Sequence, residues 1–183
     1  METFSSPRRF VHHPGFSEER DRVLAGLNPE DIDPPIRGLI AAFARLPQCF
    51  TLQCCFGHFV HREQQDPHNL EPLPDHDVGP ITYRIAYIAL CLENSAAGRA
   101  MRSALENVPA IDPEYIQFGS ADWFWQRHRN SYALQVEPSR FMDRDQAIID
   151  HREAFHLQRV RHHFFHSLTG VVAAANSDGR AES

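Results

Sequence analysis

The chain has 183 residues, with 24 acidic side chains against 18 basic ones and a net charge of −6. That length fits one domain with a tail, and the acidic balance argues against general charge-driven binding of nucleic acid. All 18 bases are arginine, so the absence of lysine excludes Schiff-base chemistry and Walker-type phosphate binding.

No apolar run approaches the roughly 20 residues needed to cross a bilayer. The first residues lack the apolar stretch of a secretory signal, and the expectation is a cytoplasmic protein. Its four cysteines, Cys49, Cys54, Cys55 and Cys91, are then expected to be reduced.

Residues 1–16, with Pro7, Pro14 and Gly15, read as an irregular arm ahead of a single domain over 17–170. Ser17 is the expected cap of a short first helix. Asp33 before Pro34 and Pro35 marks the start of a second helix, whose Ile36, Leu39, Ile40, Phe43 and Leu46 recur at helical spacing and which stops before Pro47.

Cys49 to Val60 predicts a buried strand interrupted near Gly57. Residues 62–80, rich in proline and acids, predict a loop. Ile81 to Leu92, apolar on both faces, predicts an interior strand. Asn94 or Ser95 caps a helix through Leu105. Strands are expected at 115–118, 122–126 and 132–136, with Arg127 to Asn130 turning between the last two. A long helix from Asp143 to Leu168 follows, with 171–183 as a flexible tail. The order is that of an α+β fold, in which helices cover a mixed or antiparallel sheet.

The densest chemistry lies in Phe50-Thr51-Leu52-Gln53-Cys54-Cys55-Phe56-Gly57-His58. A strand that turns at Gly57 can present Thr51, Cys55 and His58 to a ligand pocket. Cys54, Cys55, His58 and His61 have metal-ligand types, but their spacing is no zinc signature and assigns no metal ligands. The competing reading makes the two thiols small core residues on opposite strand faces.

Two further clusters have a structural and a functional reading. Trp123 and Trp125 alternate with Phe124 and would share a strand face, either packed under a helix or offered to a ligand. Arg127 and Arg129 follow closely enough to neutralise a nucleotide stacked there. On the last helix, Arg152, His156, Arg159, His163 and His166 fall opposite the apolar stripe of Leu157, Phe164 and Leu168. That face is either simply solvated or an anion-binding stripe for phosphates.

Asp33, Ile36, Leu39, Ile40, Pro47, Phe50, Thr51, Cys55 and Gly57 fall without a gap into a familiar order of motifs. The run resembles the wybutosine-synthesis methyltransferase family of tRNA-modifying proteins, whose strand typically reads Phe-Thr-Thr-Ser-Ser-Cys-Ser-Gly-Arg. Ala89-Leu-Cys-Leu-Glu-Asn and its following helix, Phe118-Gly119-Ser120 and the terminal helix keep the same order. Here Leu52, Gln53, Cys54 and Phe56 replace hydroxyl residues, and His58 stands in place of the arginine.

The resemblance implies methyl transfer from S-adenosylmethionine to a modified guanosine in tRNA. Asp33 and Thr51 would belong to the ligand site, with Cys55 and Gly57 shaping the pocket. His58 would meet an anionic group, and Trp123 would stack an adenine or a base. Losing these hydroxyls and a guanidinium removes donors for a polar ligand. Two alternatives therefore stand beside it: a noncatalytic module for a small anion or nucleotide, and a Cys/His metal-binding protein.

Overall fold

The computed structural model describes residues 4–142 and 144–181, the side chains of 178–181 excepted. Asp143, the expected start of the last helix, lies outside the described residues, as do the ends of the arm and tail at 1–3 and 182–183. Among the described residues the fold is α+β, built on two antiparallel sheets. The strands are β1 (Phe4–Ser5), β2 (Cys49–Cys55), β3 (His58–Val60), β4 (Ile81–Arg84), β5 (Ala86–Leu92), β6 (Ile116–Ala121), β7 (Ser131–Val136) and β8 (Gln146–Ile149). The larger sheet runs β1-β6-β7-β5-β2 and the smaller β3-β4-β8. The helices are α1 (Phe16–Ala25), α2 (Arg37–Ala44), α3 (Ala96–Glu106), α4 (Asp122–Arg127) and α5 (His151–Ala181).

One face of the large sheet meets α2, α3 and α5. Phe43, Leu90, Leu105, Leu134, Leu157 and Phe164 make the core between them. The outer face is covered in part, by α1 and α4. Phe16 of α1 sits on Phe50 and Cys91, and Phe124 of α4 sits on Ala89, Ala121 and Ala133. The end of that face next to the small sheet, at Gln53 and Tyr87, stays open, and that gap positions the site.

The apolar run 81–92 is two strands in two sheets. Ile85 breaks it, and its amide donates to the Asp145 carbonyl at 3.3 Å. The expected interior position holds for β5, which is flanked by β2 and β7. The expected strand at 122–126 is instead the short helix α4, because β6 ends at Ala121 and Asp122 opens a helical turn. Residues two apart on a helix do not share a face, so the two indoles part: Trp123 is 43 % exposed, while Trp125 packs edge-on against Tyr132.

The last helix starts at His151, after β8, and not near 143. Gln146 to Ile149 alternates exposed and buried, the period of a strand paired to β4. The helix also continues past Leu168 to Ala181. Gly15, not Ser17, precedes the first helix. The arm is not wholly irregular, since β1 pairs with β6. Ser95 does cap α3, accepting from the Gly98 amide at 3.1 Å. All four cysteines are free thiols, and no helix among the described residues is long and apolar enough to cross a membrane.

Candidate functional site

The site grows from the turn between β2 and β3, where the chain leaves the large sheet for the small one. Gly57 makes that turn with φ +88°, and a Cβ there would lie 2.9 Å from the Cβ of Ala86. Only glycine combines that backbone with so close an approach. The tight turn brings Cys55 and His58 together, and the Gly57 amide donates to Cys55 Sγ at 3.4 Å.

Asp33 arrives from the other side, fixed by the two prolines after it. Its carboxylate does not cap its own helical turn. Instead Oδ2 accepts from the Phe56 amide at 2.7 Å and faces His58 Nε2 at 3.5 Å. His58 Nδ1 donates to the buried Asn69 carbonyl at 3.1 Å. With an acceptor at each ring nitrogen, the imidazolium is favoured. The Asp33 carboxylate and then the Cys55 side chain raise the His58 pKa to about 10, against the opposing effect of burial. For Asp33, burial acts upward, but the bonds from His58 and Phe56 leave its carboxyl below the usual value.

Beneath the turn lies Arg161 of α5, 2 % exposed. It donates to the Gly57 carbonyl at 2.7 Å, and its guanidinium sits over the Phe56 ring at 4.1 Å. Burial lowers its pKa. The residue occupies the stripe of Leu157, Phe164 and Leu168, where a charged side chain in an apolar seam was a legible signal of a buried contact.

Asp33, Cys55 and His58 line one end of a cleft of about 1290 Å³, together with Gln53, Tyr87 and Arg144. A smaller recess of about 230 Å³ continues along the open face of the large sheet, and Trp123 lines it. Gln53, Ile85, Tyr87, Arg144 and Asp145 line both, so the two form one groove. Arg127 stacks on Trp123 at 3.9 Å.

Of the sequence-derived ligand residues, the structure brings Asp33, Cys55 and His58 together, with Gly57 shaping their turn, and places Trp123 at the far end of the groove. Thr51 is not among the lining residues; it is buried on the other side of β2. Arg127 stands beside the recess, whereas Arg129 reaches back to the His12 carbonyl. Arg152 and Arg159 line a separate hollow with Tyr115 and His156, so the proposed phosphate stripe is not continuous with the groove.

The set Cys54, Cys55, His58 and His61 is not assembled, because Cys54 packs against the core, where burial pushes its thiol up to about 12. Sequence reading also missed Tyr87, Arg144 and Asp145, which only the meeting of two sheets brings side by side.

No family model and no curated protein matches the chain. Among solved structures, a hypothetical protein from Aeropyrum pernix is similar over 79 % of this chain and 96 % of that one, at 10 % identity and a TM-score of 0.37, a likeness that bears on neither fold nor function.

Proposed function

We propose that the groove binds an adenosine-bearing methyl donor of the S-adenosylmethionine class, and that the chain is a divergent member of a tRNA-modifying methyltransferase-like family. The observation that carries this reading is the continuity of the groove, from Trp123 at one end to Asp33 and Cys55 at the other. Its lining offers groups suited to such a ligand. Trp123 supplies a stacking face for a purine, and Arg144 and Asp145 supply opposite charges for a zwitterionic tail. When bound, that donor supplies a methyl group on a sulfonium sulfur. The chain's own part is alignment of the acceptor, which carries most of the rate in such transfers. Arg127 beside the recess meets phosphates of an approaching tRNA.

A second reading, a noncatalytic nucleotide-binding module, is favoured by Phe56. The family-like motif has a hydroxyl there, but this ring turns into the core and stacks on Phe165 at 5.3 Å, so the position offers no donor to a ligand.

Calorimetry with S-adenosylmethionine, its demethylated product and guanosine monophosphate tests both readings, combined with transfer of labelled methyl to unfractionated tRNA. Trp123→Ala should weaken donor binding by roughly 1–3 kcal/mol, the worth of one stacked base. Binding with transfer supports the enzyme, and nucleotide binding without transfer supports the module. No binding of any of the three rejects both.

A further inference from the structure

We infer that Asp33, Cys55 and His58 form a three-ligand site for a divalent transition metal of the zinc class, with its open position facing the cleft. Their donor atoms all lie within 4.8 Å of one another. His58 Nε2 and Asp33 Oδ2 are 3.5 Å apart, beyond the about 2.7–2.9 Å of a charge-assisted hydrogen bond. That separation is close to the roughly 3.3 Å edge of a tetrahedron built on metal bonds of about 2.0–2.1 Å.

The surroundings are those of a ligand set. A metal-bound histidine characteristically donates its other ring N–H to a carbonyl, as His58 does to Asn69 at 3.1 Å. Asp33 is oriented by the Phe56 amide at 2.7 Å. His58 is 2 % exposed and held by its turn, while the half-buried Asp33 and Cys55 can rotate to close on an ion. A thiolate, an imidazole and a carboxylate together suit zinc, in contrast to the all-oxygen sets of calcium or magnesium.

Three protein ligands leave a fourth position, which opens to the cleft that the three residues line. Binding draws Cys55 in as thiolate and displaces the proton at His58 Nε2, so one ion replaces the His58–Asp33 ion pair of the metal-free site. The inference does not depend on the methyl-donor reading, because its ligands stand without any occupant of the groove.

The test uses untagged full-length protein, stripped with a chelator, dialysed against zinc and separately titrated with cobalt(II). One equivalent of zinc should be retained, and cobalt should give a thiolate-to-metal charge-transfer band. Cys55→Ser should abolish that band, and Asp33→Asn should weaken zinc binding by more than about tenfold. Cys54→Ala should keep both signals. His162→Gln with His166→Gln should also keep them, which separates the site from chance binding by surface histidines. Near-ultraviolet circular dichroism checks that each variant is folded. Retention below one equivalent, a cobalt complex without the thiolate band, or a band that survives in Cys55→Ser would each overturn the inference.

Discussion

Thr51 and Cys55 are four residues apart on β2, and an unbroken strand would turn both toward the same face. The pairing register with β5 slips between Thr51 and Gln53, and one extra residue reverses the alternation beyond it. Cys55 therefore reaches the cleft, while Thr51 is 6 % exposed and its hydroxyl has no hydrogen-bond partner among the described residues. A sequence carries no mark of such a slip, since it is set by how the neighbouring strand packs. An isosteric Thr51→Val change removes a buried unsatisfied group and should raise stability by about 1 kcal/mol. It should leave binding in the groove unchanged. Urea unfolding and calorimetry on the same preparation check both halves. A drop in stability would show that the hydroxyl is bonded, and a drop in affinity would return Thr51 to the ligand site.

Among the elements, those with a long apolar period were legible: the helix after Asp33, β2, β5, α3 and the body of α5. The Gly57 turn was legible too, because glycine there has a backbone reason. What escaped was short. Trp123-Phe124-Trp125 imitates strand alternation within a six-residue helix, too short for its own period to declare itself. β8 merged with the helix that follows because its four residues gain their partner only from β4. The exposed His162 of α5 packs edge-on against Phe56 at 5.8 Å. Burial, and then the neighbouring Arg161, lower its pKa below the ordinary 6.5. The folded state thus prefers the neutral ring, and the unfolded chain takes up its proton first as pH falls. This contribution is fully present above the unfolded value and declines as pH drops toward the folded one. His162→Gln should therefore flatten the acid limb of stability. Urea midpoints measured in parallel from about pH 7.5 to about pH 5 should fall further for the wild type than for the variant as the medium acidifies. Parallel curves would reject the assignment.

Across the whole molecule, the cleft lies where the two sheets meet, lined by residues of both. Gln53 and Tyr87 come from the large sheet, and Arg84 and Gln146 from the small one. That junction is held by Tyr83 of β4, fully buried between the sheets. Its hydroxyl donates to the Val136 carbonyl of β7 at 3.0 Å and accepts from the Ala86 amide of β5 at 3.0 Å. Burial raises its pKa well above the usual phenol range, so it remains a donor under all ordinary conditions. Tyr83→Phe keeps the ring and its stacking on Phe59 at 4.9 Å but strips this bridge from a site with no water access. Leaving the Ala86 amide without that acceptor should cost about 1–3 kcal/mol. The cost should appear as a lower urea midpoint with an unchanged slope, because the same surface is exposed on unfolding. Faster hydrogen exchange at Ala86 than at the centre of β7 would locate the loss at the junction. An unaltered midpoint would show that the helices alone hold the sheets together, chiefly α5, which packs against β4 and β7.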